Sequence, residues 1–338
     1  MEHRHRQARR DELGSTGLAV SPIGLGLAAL GRPGYINLGH GADLAGQRSV
    51  AAMEARAHGL LDEAWRGGVR YLDAARSYGR AEAFLASWLA ARSIRPDDVA
   101  VGSKWGYTYT ADWQVEADTH EVKDHSLAVL QRQWRESHEL LGEQLDLYQT
   151  HSATLDSGAL DDPGLLAELA RLKHEGVLIG LSTSGPEQAA TIARALEVRV
   201  DGVRLFDSVQ ATWNLLERSV GAALAEAHAA GMGVIVKEAL ANGRLTDRNT
   251  APAFADQRAL LRAHADRLDT TIDALALAGA VAQPWADVVL SGATTVDQLR
   301  ANLRALEVRW DDEADALLAP IAETPATYWQ RRSALPWN

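Results

Sequence analysis

The chain has 338 residues, of which 46% are hydrophobic, with a formal net charge of −11 and no cysteine. This composition supports a large buried core and excludes disulfides, thiolate metal ligands and cysteine nucleophiles. The negative charge predicts no general attraction to nucleic acid or to an anionic membrane surface, and no apolar run reaches the roughly 20 residues that span a bilayer.

The N-terminal segment MEHRHRQARRDE is charged and has no apolar stretch after it, so it does not read as a secretory signal. We predict a flexible tail over residues 1–12, in which His3 and His5 are solvated rather than bound to metal, and we predict no metal site elsewhere. Residues 13–338 then form one domain, because no linker divides them. The lack of cysteine and of a signal favours a cytoplasmic protein.

Strand and helix patterns alternate along the rest of the chain. The segment ELGSTGLAVSPIGLG predicts a small hairpin and then a first strand that ends near Gly26. Short apolar runs typical of strands buried on both faces then alternate with helical patterns. The further strands are predicted at 68–74, 98–104, 145–151, 177–183, 202–210, 233–240 and 287–292. The helices are predicted at 48–66, 80–92, 125–142, 162–175, 186–197, 215–230, 255–282 (two helices) and 295–307, with one more short helix in the tail.

Eight strands, each followed by a helix, predict an α/β fold of the (β/α)8 TIM barrel type with an N-terminal β-hairpin. An open, doubly wound sheet is the alternative. No G-x-G-x-x-G follows the first strand, which argues against a dinucleotide-binding sheet of that kind.

Polar residues end most of the predicted strands. In an eightfold barrel the chemistry is found at the C-terminal ends of the strands, so these side chains are expected to share one mouth. They are Asp73, Lys104, His151, Ser182 with Thr183, Gln210, Lys237 with Glu238, and Ser291.

The turn after the second strand, YLDAARSYG, adds a phenol, Tyr78, to this mouth. A phenol titrates near ~10 and needs a nearby cation to release its proton at neutral pH. Lys104 can supply that charge, Asp73 can hold the ammonium in place, and His151 can orient a carbonyl oxygen or help to pass the proton. The four residues are therefore predicted to form a general acid aimed at an oxygen that gains negative charge.

With these residues in place, the chain resembles the aldo-keto reductases over nearly its whole length. Asp73, Tyr78, Lys104 and His151 match the family's catalytic pattern in order, and DAARSYGRAE resembles its first signature, with Ala74 where Thr is commoner. The resemblance implies a barrel whose N-terminal hairpin covers the bottom. It also implies hydride transfer between a nicotinamide cofactor and an aldehyde or ketone, with Tyr78 as the proton donor.

The resemblance also implies a set of cofactor-binding residues. The nicotinamide amide is expected at Ser182 and Gln210, with Thr183 in place of the family's Asn. Lys237 stands where an aromatic ring often stacks on the nicotinamide, and it can instead pair with Glu238 or contact a phosphate. The segment ALANGRLT resembles the part of the family that lies over the pyrophosphate, with Leu240, Gly243 and Leu245 in place.

The segment GATTVDQLRANL, which begins at Gly292, resembles the loop and helix that bind the adenosine end of the cofactor. Asn302 matches the residue that contacts adenine. Gln298 stands where many NADP-preferring members carry Arg, but Thr294, Thr295 and Gln298 can still hydrogen-bond a 2′-phosphate. We therefore expect NADPH, with NADH as the alternative.

The substrate is expected to be a small carbonyl compound. Aromatic residues near the mouth suit an apolar pocket with a few directing hydrogen bonds. The candidates are Tyr35, Trp105, Tyr107, Trp113 and Trp213. No oligomeric state is predicted.

Three other functions stay open at this point. One is an NAD-dependent sugar or alcohol dehydrogenase on the same scaffold. Another is a Schiff-base aldolase that uses Lys104, which would leave Tyr78, Ser182 and Gln210 without a role. The third is a slow, cofactor-binding regulatory subunit like the potassium-channel beta subunits that share the family fold.

Overall fold

The computed structural model describes residues 11–338, so most of the predicted tail, with His3 and His5, lies outside the described residues. The strands are β1 (Asp11–Glu12), β2 (Ala19–Val20), β3 (Ile23–Gly26), β4 (Tyr71–Asp73), β5 (Ala100–Trp105), β6 (Tyr107–Tyr109), β7 (Glu121–Lys123), β8 (Leu147–Ala153), β9 (Leu178–Thr183), β10 (Arg199–Val200), β11 (Val203–Arg204), β12 (Ser208–Thr212), β13 (Gly233–Lys237) and β14 (Val288–Ser291). The α-helices are α1 (His40–Leu44), α2 (Val50–Arg66), α3 (Ala81–Arg92), α4 (Leu127–Leu141), α5 (Pro163–His174), α6 (Gln188–Glu197), α7 (Gly221–Ala229), α8 (Ala255–Arg267), α9 (Ile272–Val281), α10 (Val296–Leu303), α11 (Asp312–Leu318) and α12 (Pro325–Ser333).

A closed parallel barrel forms the centre of the molecule. Its strands run in the order β3, β4, β5, β8, β9, β12, β13 and β14, and β14 pairs with β3 to close the ring. The apolar runs of the sequence form these strands, because both faces of each strand are covered, by the barrel interior and by the outer helices. The predicted (β/α)8 barrel is thus confirmed.

The N-terminal hairpin of β1 and β2 covers the bottom of the barrel. Leu13 and Val20 are fully buried and pack against side chains from the lower ends of the barrel strands, among them Tyr71 and Ile235. A Cβ at Gly233 would lie only 2.4 Å from the Cγ of Leu13, so glycine is required there for the hairpin to approach the barrel.

Aspartates tie neighbouring strands together at this same bottom end. Asp146, Asp207 and Asp287 each precede a barrel strand, and each accepts a hydrogen bond from the backbone N–H of an adjacent strand, at 2.8 Å from Val101, 2.9 Å from Ile179 and 2.7 Å from Val234. These bonds satisfy backbone donors that would otherwise be left unpaired where the strands begin. The mouth of the barrel is left free for other polar groups.

The observed elements differ from the predicted ones in a few places. Asp11 and Glu12, assigned to the flexible tail, form β1 and pair with β2. The sixth barrel strand begins at Ser208 rather than at residue 202, because residues 203–204 pair with β10 in a separate small hairpin.

Helix α7 begins six residues after its predicted start. The side chain of Asn214 accepts hydrogen bonds from the backbone N–H groups of Leu216 and Glu217, which fixes a turn there. The loop after β5 contains a hairpin of β6 and β7 that was not predicted, and the tail holds two helices, α11 and α12, rather than one. None of the described helices is both long enough and apolar enough to cross a membrane.

Candidate active site

A cavity of about 480 Å³ opens at the C-terminal ends of the barrel strands. This volume lies within the range of small-molecule and cofactor sites, and the position is the one at which barrel enzymes place their chemistry. Strand-end residues Asp73, His151, Gln210, Lys237 and Ser291 line the cavity together with Tyr78.

The turn that carries Tyr78 is fixed by two glycines. Gly79 has a φ of +60°, and a Cβ there would lie 2.4 Å from the carbonyl oxygen of Gly31. A Cβ at Gly31 would lie 2.1 Å from the carbonyl oxygen of Tyr78. The backbone N–H of Arg80 donates to the carbonyl of Gly31 at 2.7 Å. The loop after β3 therefore holds the Tyr78 backbone against the barrel mouth.

A buried ion pair lies beside the Tyr78 ring. Lys104, which is fully buried, donates to the Asp73 carboxylate and, at 3.0 Å, to the backbone oxygen of Ala74. Its ammonium nitrogen is 5.0 Å from the centroid of the Tyr78 ring. Asp73 also accepts a hydrogen bond of 2.9 Å from the amide of Gln210. The structure thus brings together the predicted catalytic lysine, aspartate and tyrosine.

His151 completes the predicted set from the other side of the phenol. The centroids of the Tyr78 and His151 rings are 5.5 Å apart, in an edge-on arrangement. The ring of Tyr107 lies 5.0 Å from His151, and the hydroxyl of Ser77 is 3.4 Å from its Nδ1. The imidazole is therefore held in one orientation at the cavity wall.

Electrostatics keep the proton on Tyr78 and off His151. Burial, with the negative charge of Asp73, raises the pKa of Tyr78 well above that of a free phenol. The Asp73 carboxylate, paired with Lys104, offsets part of the positive charge that the ammonium presents to the phenol. Burial and the positive charges of Lys104 and Lys237 lower the pKa of His151, so its imidazole is neutral. The phenol of Tyr78 therefore keeps its proton, and the imidazole of His151 is a neutral hydrogen-bonding group.

Lys237 and Glu238 form a second charged group at the mouth. The Lys237 ammonium donates to the hydroxyl of Thr212 at 2.7 Å, and burial lowers its pKa to about 8. Burial acts to raise the pKa of Glu238, but the charges of Arg332 and Lys237 hold it at about 2. Two hydrogen bonds of 2.9 Å join the Nε of Arg332 to the Glu238 carboxylate, and they fasten α12 to the barrel.

The residues expected to bind the nicotinamide amide have different surroundings. Gln210 lines the cavity. The hydroxyl of Ser182 accepts a hydrogen bond of 2.8 Å from the backbone N–H of Ser152, and the hydroxyl of Thr183 donates to the side chain of Gln188 at 3.2 Å. Ser182 and Thr183 are fully buried. Of this group, Gln210 therefore presents its side chain to the cavity most directly.

Most residues expected at the pyrophosphate and adenosine end line the same cavity. They are Leu240, Gly243, Gly292, Thr294, Gln298 and Asn302. Gly243 has a φ of +88°, and a Cβ there would lie 3.1 Å from the Cβ of Leu38, which lets the first loop cross closely. Leu245 is fully buried in the hydrophobic core, so its contribution is to packing.

The aromatic residues divide into two groups. Tyr35 lines the cavity and Tyr107 lies against His151, so both stay candidates for contact with a substrate. Trp105 is fully buried and packs edge-on against His125, while Trp213 packs against Trp285. Trp113 donates its indole N–H to the backbone oxygen of Arg48 at 2.7 Å. These three rings pack into the surrounding structure and are not among the residues that line the cavity, so their role as substrate contacts stays a prediction.

The sequence did not point to Arg32, which is 3% exposed and lines the cavity. Its guanidinium lies 5.4 Å from the centroid of the Tyr78 ring and 4.7 Å from that of Trp337. It donates to Glu121 at 2.9 Å and to the backbone oxygen of Ser77 at 3.1 Å. These partners lie 45 to 305 residues away, so no local pattern could have revealed the cluster.

The cavity suits a dinucleotide in its chemistry. Its lining combines amide and hydroxyl side chains, the Tyr78 phenol and the backbone of Gly243, which the first loop approaches closely. Asn242 lines the same cavity. Its side-chain oxygen is buried and has no hydrogen-bond partner among the described residues. No cluster of three or more His, Cys, Asp or Glu side chains suited to a metal occurs within residues 11–338.

Known proteins are similar to this chain over most of its length. The model of the aldo/keto reductase family matches residues 22–322. An uncharacterized oxidoreductase of Bacillus subtilis, YrpG, is 26% identical, with 94% of this chain and 98% of the relative covered. The NADH-specific methylglyoxal reductase of Escherichia coli is 25% identical, with 92% and 97% covered. The solved structure of the aldo-keto reductase AKR11C1 from Bacillus halodurans, in its holo form, matches in fold with a TM-score of 0.71 at 23% identity, covering 94% of this chain and 97% of that one.

Proposed function

Because the chain belongs to the aldo/keto reductase family, we propose that it reduces a small aldehyde or ketone to the alcohol, with Tyr78 as the proton donor. The observation that carries the proposal is the position of Tyr78 at the cavity, between the buried Lys104–Asp73 pair and the neutral imidazole of His151. The four groups have the chemistry that proton donation to a carbonyl oxygen needs.

A nicotinamide dinucleotide, when bound, supplies the hydride for this reduction. The residues that would hold it are Gln210, Gly243, Thr294, Gln298 and Asn302, which line one continuous cavity with Tyr78. The sequence resemblance favours NADPH over NADH, and the charged groups near Gln298 bear on that choice.

The proton step balances without any further reagent. As a C–H bond forms at the carbonyl carbon, the π electrons of the C=O bond move to the oxygen, and that oxygen takes the proton of the Tyr78 hydroxyl. The phenolate left behind is stabilised by the Lys104 ammonium, 5.0 Å from its ring centroid, and regains a proton from water. The neutral His151 donates a hydrogen bond that orients the carbonyl oxygen.

The surroundings of Lys104 argue against the aldolase alternative. Its ammonium is fully buried, and it is bonded to Asp73 and to the backbone oxygen of Ala74. Imine formation needs a neutral amine that the substrate carbonyl can reach, and this lysine is charged and enclosed. The remaining alternatives, an oxidising dehydrogenase and a slow regulatory subunit, use the same site and differ in direction and rate.

The first substrate to test is a small 2-oxoaldehyde. A relative that shares 25% identity over 92% of this chain is named as a methylglyoxal reductase. The cavity wall near Tyr78 combines a guanidinium, Arg32, with aromatic surface from Tyr35. Such a wall suits a short carbonyl compound that carries a second oxygen.

The test is Tyr78→Phe, assayed by the loss of reduced-cofactor absorbance with methylglyoxal and a panel of small aldehydes. We expect kcat to fall by about 10²–10⁴-fold, because the variant lacks the acidic proton. Binding of the nucleotide, followed by tryptophan fluorescence, should change by less than about twofold. Tyr148→Phe is the matched control, since Tyr148 packs against Trp134 outside the cavity and should retain its rate. A Tyr78→Phe enzyme with the wild-type rate would overturn the assignment.

A further inference from the structure

An acidic side chain lies at the end of the cavity that carries Asn302. Asp43 belongs to the short helix α1, lines the cavity, and has a carboxylate that is 11% exposed. It reaches this end from the first loop, far in sequence from α10, so the resemblance to the aldo-keto reductases gave it no role.

Asp43 binds the side chains that were expected to recognise a 2′-phosphate. Its Oδ2 accepts hydrogen bonds from the Gln298 amide at 2.8 Å and from the Thr294 hydroxyl at 3.0 Å. Gln298 is further fixed because its own oxygen accepts from the backbone N–H of Thr294 at 2.9 Å. Two of the three side chains expected to hydrogen-bond a phosphate at this position, Thr294 and Gln298, are therefore already bonded to a carboxylate.

Arg248 completes the cluster, and its positive charge balances the negative charge of Asp43. Its guanidinium donates to both carboxylate oxygens of Asp43, at 2.7 Å and 2.5 Å, and its side chain is 40% exposed. Burial raises the pKa of Asp43, but the hydrogen bonds from Arg248, Gln298 and Thr294 hold it below its ordinary value. At neutral pH the carboxylate is charged, and it neutralises the arginine that a phosphate would need.

We propose that Asp43 selects NADH over NADPH by occupying the 2′-phosphate position with a fixed negative charge. The inference rests on the proposed function, since it concerns the cofactor of that same site. A ribose 2′-hydroxyl can donate a hydrogen bond to a carboxylate, which is the interaction that acidic residues make with NAD in other dinucleotide folds. A 2′-phosphate instead carries a charge of about −1.5 to −2 and is repelled.

This inference reverses the cofactor preference expected from the sequence. That expectation counted Thr294, Thr295 and Gln298 as donors to a 2′-phosphate. In the structure two of these side chains, Thr294 and Gln298, donate to Asp43. Replacement of Asp43 by a neutral side chain should free these donors and Arg248 together, and all three groups would then favour an anion.

The experiment is a fluorescence titration of the purified protein with NADH and NADPH, in the wild type and in Asp43→Asn and Asp43→Ser. We expect the wild type to bind NADH at least about tenfold more tightly, and each Asp43 variant to lower the ratio of Kd for NADPH to Kd for NADH by at least about tenfold, because like-charge repulsion is removed. The ratio is insensitive to a loss of folded protein, which would weaken both nucleotides equally. Asp256→Asn, an exposed change of the same charge, controls for net charge and should leave the ratio unchanged.

The outcomes separate the inference from the proposed function. A wild type that prefers NADPH, or Asp43 variants with an unchanged ratio, would overturn the role of Asp43 and leave the reductase proposal standing. If the wild type binds neither nucleotide, both fall together. Binding with the expected ratios but no turnover of any carbonyl compound would support the role of Asp43 and count against catalysis.

Discussion

Gly79 and Gly31 approach each other so closely that a Cβ on Gly79 would lie 2.4 Å from the carbonyl oxygen of Gly31. The first belongs to the turn after β4 and the second to the loop after β3. Their contact sets the height of the Tyr78 backbone at the barrel mouth, so the position of the Tyr78 phenol depends on two residues that have no side chain.

Gly79→Ala should therefore impair catalysis more than the addition of one methyl group would suggest. The substitution adds a clash with backbone, and it places a Cβ on a residue at φ +60°, so it should cost about 1–3 kcal/mol of unfolding free energy. Because Tyr78 must shift to relieve the clash, kcat should fall while the Kd of the nucleotide changes little. Gly59→Ala is the matched control: a Cβ there meets nothing within 4 Å, and the helical position should gain up to about 1 kcal/mol. Urea unfolding and steady-state rates on both variants give the comparison, and an unchanged rate in Gly79→Ala would separate the turn from catalysis.

Asp73→Asn should destabilise the protein strongly. The substitution leaves the fully buried ammonium of Lys104 without its anionic partner. Removal of one member of a buried pair typically costs about 3–5 kcal/mol. The double variant Asp73→Asn/Lys104→Met should cost less than the two single changes added together, since no unpaired charge remains.

Urea unfolding of the four proteins in this cycle measures the coupling between Asp73 and Lys104. Glu175→Gln serves as the surface reference, because the Arg171–Glu175 pair lies exposed at the C-terminal end of α5 and should contribute less than about 1 kcal/mol. A double variant as unstable as the sum of the single variants would mean that the ion pair does not couple the two side chains in the folded protein.

The sequence could predict the barrel and the polar residues that meet at its mouth, because both depend on local pattern. Apolar runs mark the strands, and the polar residues that end parallel barrel strands meet at one mouth whatever the conformation of the loops. Asp73, Lys104 and His151 could be placed together from this pattern alone, and their catalytic roles stay a prediction. Side-chain direction within a strand was harder, since Trp105 follows Lys104 directly and therefore points to the opposite face.

The rest of the site could not be predicted, because it is assembled by loops over long distances in the chain. Asp43 reaches Gln298 across 255 residues, and Arg32 reaches Glu121 across 89. Neither Asp43 nor Arg32 lies in a segment whose hydrophobic periodicity predicts a helix or a strand. The prediction of NADPH therefore did not take account of Asp43, which accepts hydrogen bonds from both Gln298 and Thr294.

The stability of the protein should depend on pH through the ammonium group of Lys237. Burial lowers the pKa of Lys237 to about 8, below its ordinary value of 10.5, against the opposing charge of Glu238. Below pH 8 both the folded and the unfolded chain carry the proton, and the folded state bears the full cost of the buried charge. Between about pH 8 and 10.5 the unfolded chain binds more protons, so the free energy of unfolding rises with pH through this window.

Lys237→Met should remove this rise. We expect the free energy of unfolding of the wild type to increase, relative to the variant, by about 1–2 kcal/mol between pH 7.5 and 9.5, a fraction of the full shift because the side chain is partly exposed. Urea unfolding at four or five pH values gives the difference, in which groups common to both proteins, such as Glu238 and Arg332, largely cancel. Lys237→Arg, which keeps its charge throughout, is the control and should lack the rise as well. If the free energies of unfolding of the wild type and Lys237→Met change in parallel with pH across the window, burial does not destabilise the charged form of Lys237. The Lys237–Thr212 hydrogen bond of 2.7 Å would then offset the whole cost of burying the charge.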